Sequence, residues 1–255
     1  MSFDALVIAA HADDAETQMG GTLAKLSDLG QRILLVDLTD GEPTEFAAPG
    51  VRAAQAMEAA RVLGAERCNL GLRDRLLQDG PETRLELARL IRVHRPRWVY
   101  STGEACVHPD HVATVSLVRA AVFLARLGQW DRVGGAEQMS GQEPWIVERL
   151  FFPHCKMEPP WSDFAFAVDV SDVYERKRQA LAAYTSVFAP AGQDHLLALY
   201  EAEDQFSVAS WECGTRKSSA VRHHSSYRIG RYFNLRRRAD DLFRPRSAHS
   251  AACKT

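Results

Sequence analysis

Short apolar runs alternate with longer amphipathic ones through the first half of this chain. That rhythm constrains the fold more than any other feature. FDALVIAA (residues 3–10) and RILLVDLT (32–39) are long enough for buried strands and too short for buried helices. Between them, TQMGGTLAKLSDL (17–29) places Met19, Leu23, Leu26 and Leu29 at helical spacing, with Gly30 as a natural stop. VRAAQAMEAARVL (51–63) is an Ala-rich helix ended by Gly64, and RCNLGL (67–72) is a third strand. ETRLELARLIRVH (82–94) reads as a helix stopped before Pro96, RWVYST (97–102) as a fourth strand, and VATVSLVRAAVFLARLG (112–128) as another helix. IVERLFF (146–152) and FAFAVDVS (164–171) read as two further strands. DVYERKRQALAAYTSVF (172–188) reads as a helix with Asp172 as its candidate N-cap. Strand, helix, strand at this pace predicts an α/β fold: a Rossmann-like three-layer arrangement whose mainly parallel sheet is covered on both faces.

Composition narrows the function class. With 255 residues, 46% apolar and 25% charged, the chain can bury a full core as one α/β domain. A formal net charge of −2 gives no global pull toward nucleic acid, and no apolar run approaches the ~18 residues that cross a bilayer. The N-terminus lacks a basic n-region, so no secretory signal is expected. Five scattered cysteines with no C-x-x-C pair exclude a disulfide scaffold or Cys-rich zinc finger and place the chain in the cytoplasm by default. Charge is divided unevenly. Of 31 basic residues, 11 follow Cys213, against 2 of the 33 acidic ones. An acidic body therefore precedes a basic C-terminal segment, residues 214–255. That segment is expected to fold back on the body through Tyr227, Tyr232 and Phe233 rather than bind nucleic acid, which is disfavoured as a partner.

Two polar clusters carry the chemistry. His11-Ala12-Asp13-Asp14 follows the first strand, and His108-Pro109-Asp110-His111 follows the fourth, just ahead of a helix. In open parallel sheets, ligands sit beyond the carboxyl ends of the strands, where the strand order reverses. If strands one and four flank that point, the clusters face each other across one cleft. Two imidazoles and a carboxylate suit a catalytic zinc site with an open position for water. Of adjacent Asp13 and Asp14, one can bind metal while the other serves as base. Of His108 and His111, one can bind metal while the other reaches a developing oxyanion or leaving group. The residues by themselves do not decide which does which. Asp110 also sits where an N-cap belongs.

The sequence A-H-A-D-D-A-E-T-Q-M-G-G-T-L-A and the later H-P-D-H-V resemble the LmbE-like (PIG-L) zinc-dependent deacetylases of N-acetylglucosaminyl compounds, in particular those of the bacillithiol-pathway type. VDLTDGEPT, the arginine in PGVRAAQAMEAA, and NLGLRD also resemble segments of bacterial members. The resemblance runs from about residue 3 to about 120, and more weakly through YERKRQALAAYTSVF. It implies an LmbE-like fold over residues 1–213. It also implies one Zn²⁺ (or another divalent metal such as Fe²⁺) per chain on His11, Asp14 and His111, with Asp13 as general base. His108 would be the oxyanion-stabilising or acid group tuned by Asp110, and Arg52 a contact to the sugar or its substituent. The implied partner is a small N-acetylated sugar; a homo-oligomer is left open. Hydrolysis of another amide or acyl glycoside, and a non-catalytic binding module using the basic segment, are the competing readings.

Departures from the family pattern are local. Ala12 stands where proline is usual, which removes a φ restraint but no chemistry. GTRKSSAV lacks the Tyr and Glu of a comparable C-terminal stretch in bacterial relatives. Cys106, two residues before His108, is expected to be a small buried side chain rather than a ligand. GGTLAK lacks the spacing of a phosphate-binding loop, and its glycines are expected to let a helix approach the sheet. His94, His223, His224 and the arginine run at 236–238 are expected at the surface.

Overall fold

The computed structural model describes residues 2–43, 46–104, 106–129, 141–153, 168–189, 195–202 and 204. Strands β1 (Ala5–Ala9), β2 (Ile33–Thr39), β3 (Glu66–Leu72), β4 (Trp98–Tyr100) and β5 (Arg149–Phe151) form one parallel sheet in the order β3-β2-β1-β4-β5. β1 pairs with β2 from Ala5↔Ile33 to Ala9↔Asp37, and with β4 from Ala5↔Trp98 to Val7↔Tyr100. The chain lays down β1, β2 and β3 in one direction and then returns to the other side of β1. The strand order therefore reverses between β1 and β4, the two strands that the polar clusters follow.

Both faces of the sheet are covered over its inner strands, which is why β1, β2 and β4 are buried throughout and β1 and β2 read as apolar runs, while the edge strands β3 and β5 are half-exposed. Ala5 and Val7 of β1 and Ile33 and Leu35 of β2 pack with helices α1 (Asp14–Asp28), α2 (Val51–Leu63) and α5 (Tyr174–Ala182) and the short α6 (Thr185–Phe188). Leu6, Ile8, Leu34 and Val36 alternate to the other face and meet α3 (Pro81–His94) and α4 (Pro109–Ala125). Leu6, Ile8 and Leu35 are essentially inaccessible, and burial of each side chain contributes about 2 kcal/mol before entropy. His94 packs edge-on against Phe3, away from the polar clusters.

The helices of the first half stand where the periodicity places them, with informative differences at their ends. α1 begins at Asp14, three residues before the expected start, so the first polar cluster runs directly into a helix. α4 likewise starts within the second cluster. Its N-cap is His108, whose side chain accepts from the Asp110 amide, and Asp110 is inside the first turn rather than at the cap. Asp172 is not a cap either: Val173 occupies that position before α5, and Asp172 pairs with Lys25 at 2.7 Å. The single helix expected over 172–188 is interrupted at Ala183–Tyr184, because the Tyr184 ring is fully buried and its hydroxyl reaches Glu16 on α1.

Gly20 and Gly21 serve a packing role different from the expected one. A Cβ on Gly20 would stand 3.0 Å from Lys177 Cγ, and one on Gly21 would stand 2.6 Å from Val170 Cβ. The glycines admit the chain entering α5, and α5 itself, rather than the sheet. Of the two late strands expected, 146–152 yields only β5. The other falls half outside the described residues, and its described part, 168–171, is not a strand. Cys68 and Cys106 are free; the other three cysteines, His223, His224 and the basic segment 214–255 lie outside the described residues. Among the described residues, no helix is long and apolar enough to cross a membrane.

Candidate metal centre

β1 delivers His11 to the carboxyl end of the sheet, at its central strand, and Thr39 of β2 pins the turn that follows. Its amide and hydroxyl both donate to the Ala10 carbonyl, at 3.0 and 2.9 Å. The backbone then reverses hand. Asp13 has φ 116°, and α1 starts at the next residue. The adjacent carboxylates diverge at this turn. Asp14 folds back so that Oδ2 accepts from the His11 amide at 2.9 Å, while Asp13 Oδ1 accepts from Arg52 Nη2 at 2.9 Å.

Three donors meet beyond the ends of β1 and β4. Asp14 Oδ1 lies 3.1 Å from His111 Nε2, Asp14 Oδ2 lies 3.4 Å from His11 Nδ1, and the two imidazole nitrogens lie 3.3 Å apart. Donors of a tetrahedral zinc site with bonds of ~2.0–2.1 Å stand roughly 3.3–3.4 Å from one another, and the triangle of the two imidazoles and the Asp14 carboxylate, measured to one or the other of its oxygens, has edges of that size. Charge supports the same reading. The carboxylates of Asp13, Asp14, Asp74 and Asp110 are all largely buried at the site, against two fixed cations among the described residues: Arg52 on Asp13, and the mostly exposed Arg75, 3.8 Å from Asp74. A divalent cation would offset that excess.

The far edge of each imidazole is held as well. His11 Nε2 lies 3.1 Å from Asp74 Oδ1 and 3.2 Å from Asp110 Oδ2, which makes Nε2 the protonated nitrogen and turns the Nδ1 lone pair toward Asp14. His111 Nδ1 lies 3.1 Å from Cys106 Sγ, leaving Nε2 for the triangle. Cys106 is buried and on the side of His111 remote from Asp14, in keeping with a packing and orienting role. His11, Asp74 and Asp110 also cluster closely enough to hold an ion, as do His11, His108 and His111. Asp110 is a poor candidate: its oxygens already accept the Arg75 and Leu77 amides, at 2.7 and 3.3 Å.

His108 stands beside the triangle, its ring 4.8 Å from that of His11 and 5.0 Å from that of His111. Its Nδ1 accepts the Asp110 amide at 3.2 Å, so a neutral ring carries its proton on Nε2. Burial and the two neighbouring imidazoles push its pKa down, which favours that neutral form. The carboxylate of Asp110 bonds to His11, and its contact with His108 is through the backbone. Burial raises Asp13 to about 6 against the opposing pull of Arg52. Burial also works to raise Asp14, but hydrogen bonds from His11 and His111 outweigh it and hold Asp14 below the usual carboxylate range. Arg52 spends Nη2 on Asp13 and on the Ala12 carbonyl at 3.0 Å, while its buried Nε lacks a hydrogen-bond partner. It reaches there past Gly41, where a Cβ would stand 3.1 Å from Arg52 Cδ.

All seven residues singled out from the sequence thus gather in one place. Asp74 is the member that sequence reasoning missed. Its signal was an acidic residue just past a parallel strand, in the NLGLRD segment.

Comparison with known proteins adds an independent line. The sequence profile of the family described as GlcNAc-PI de-N-acetylase (PIG-L) matches residues 6–122. The chain is 37% identical to the conserved protein TT1542 from Thermus thermophilus, superposing with a TM-score of 0.69 over 82% of this chain and 90% of that one. It is 29% identical over 198 residues to a diacetylchitobiose deacetylase of Thermococcus kodakarensis, covering 72% of this chain and 69% of that protein. It is 27% identical over 209 residues to a 4-oxalmesaconate hydratase of Pseudomonas putida, covering 77% and 76%.

Proposed function

The chain belongs to the PIG-L (LmbE-like) family, and from that premise we propose that it is a metal-dependent deacetylase removing the N-acetyl group from a small N-acetylglucosamine-containing molecule. The observation that carries this reading is the divergence of Asp13 and Asp14 at the start of α1. One carboxylate joins His11 and His111 in a triangle of zinc-site dimensions; its neighbour stands beside that triangle and outside it. His11, Asp14 and His111 would hold Zn²⁺, or Fe²⁺, which a site of two nitrogens and an oxygen also accommodates. Such an ion lowers the pKa of a bound water toward ~7 and polarises a carbonyl.

The remaining steps belong to side chains. Arg52 fixes Asp13 through Oδ1, so Oδ2 takes the proton as water adds to the acetamide carbon. The N–H at His108 Nε2 donates to the carbonyl oxygen as it gains charge. The C–N bond then breaks, and Asp13 returns its proton to the departing nitrogen. The products are acetic acid and the amine, which part at neutral pH as acetate and the protonated amine, so atoms and protons balance. Support for an acetylated sugar comes from the deacetylase relative, which acts on diacetylchitobiose by its name.

The experiment pairs metal analysis of the purified chain with amine release from N-acetylglucosamine derivatives. About one divalent metal per chain together with acetate release is the expected result. A metal-loaded chain that releases no acetate but hydrates an oxalmesaconate-type substrate would transfer the reading to the hydratase branch of the relatives.

A further inference from the structure

Beneath the turn that carries Asp13 and Asp14 is a buried charge network that the proposed chemistry does not use. Glu16, in the first turn of α1, is fully buried. Its Oε1 accepts from Arg67 Nη1 at 2.6 Å and from the Tyr184 hydroxyl at 3.1 Å, while Oε2 is buried without a hydrogen-bond partner. Arg67 rises from β3 and grips Asp37 of β2 through two bonds of 2.7 Å, and its Nη1 also reaches the Ala56 carbonyl at 3.1 Å. The side chains of Glu16, Arg67 and Asp37 are 0%, 1% and 2% exposed, so two carboxylates share one guanidinium in the core.

We propose that Glu16 and Tyr184 are positioning residues that hold the first turn of α1, and through it Asp13 and Asp14, in register with His11 and His111. The inference rests on the proposed function. Three observations carry it. First, the start of α1 has no cap of its own: Asp13 makes no side-chain capping bond and sits at φ 116°, a backbone state that surrounding structure must hold. Second, Arg67 and Asp37 already form a complete bidentate pair. Glu16 is therefore the third member, and it leaves a carboxylate oxygen unmatched in the core, where fold stability alone would favour an apolar side chain. Third, the helix of residues 174–188 is broken at Ala183–Tyr184, and the buried Tyr184 ring there sends its hydroxyl to Glu16. Tyr184 lies beyond residues 6–122, so the later part of the chain reaches the site's foundation through this hydroxyl.

The experiment compares wild type, Glu16→Gln, Tyr184→Phe and the control Leu181→Ala, which truncates a buried apolar side chain of α5 in the same core. Each metal-free protein is titrated with zinc against a chromophoric chelator, and its melting temperature, kcat and KM for acetate release are measured. The expected result is zinc affinity about tenfold or more weaker in Glu16→Gln and Tyr184→Phe, the scale of an outer-shell loss, with kcat reduced and KM within about twofold. Leu181→Ala should melt lower yet bind zinc like wild type. Tyr184→Phe removes a single oxygen and keeps the comparison decisive if Glu16→Gln fails to fold. Wild-type zinc affinity in the variants would overturn the inference alone, as would equal zinc weakening in Leu181→Ala. A wild-type chain that binds no zinc would overturn the metal reading and this inference with it.

Discussion

The sulfur of Cys106 lies 3.1 Å from Nδ1 of His111, on the ring edge opposite the one that meets Asp14. A ligand imidazole is aimed by whatever holds its other nitrogen, commonly a carboxylate or carbonyl. Here a thiol holds that place. Cys106→Ser keeps a small polar group and should retain metal. Cys106→Val removes it and should weaken zinc binding by about tenfold, as read by chelator competition. Unchanged affinity in Cys106→Val would reduce Cys106 to filler.

The two adjacent aspartates should separate cleanly. Asp14→Asn and His111→Ala should lose most bound metal. Asp13→Asn should keep it while turnover falls by roughly 10²–10⁴-fold, the usual size of a general-base contribution. Metal content and single-turnover rates for the three variants provide the comparison. The opposite pattern would mean that the two carboxylate roles are reversed.

Arg52 should set the acid limb of the pH–rate profile. Burial raises Asp13, and the Arg52 guanidinium at 2.9 Å opposes that rise. The base works deprotonated, so activity should fall as pH drops through its pKa. Removing the cation favours the protonated form. Arg52→Ala should therefore shift the acid limb to higher pH relative to wild type, whereas Arg52→Lys should shift it less. A limb that stays in place in Arg52→Ala would show that Arg52 does not tune the base.

Gly21→Ala tests the packing of α1. The added Cβ would stand 2.6 Å from Val170 Cβ, a branched atom fixed close to its own backbone, so the entry to α5 must move. The expected loss is about 1–3 kcal/mol of stability, measured by denaturant unfolding. A neutral substitution would mean that residues 168–170 yield freely.

Sequence alone determined the features set by local periodicity. Apolar runs with no polar alternation, such as FDALVIAA, could be satisfied only as strands covered on both faces, and the intervening helical patterns required parallel crossovers. The polar clusters after strands one and four followed from the same reading, because position along the chain is local information. Tertiary structure decided which atoms meet. Asp110 was expected to tune its near neighbour His108, whose pKa its charge does act to raise, and its carboxylate also lies against His11, 99 positions earlier, because the switch point seats β1 beside β4. Asp74 arrives at the same imidazole from the far end of β3, and Tyr184 breaks a locally favourable helix to reach Glu16. Such partnerships depend on strand order and register, and no propensity of a single segment encodes them. The split between Asp13 and Asp14 needed both levels. Their adjacency is sequence, but the direction of each carboxylate came from one residue at φ 116° and from the arginine that α2 carries to meet it.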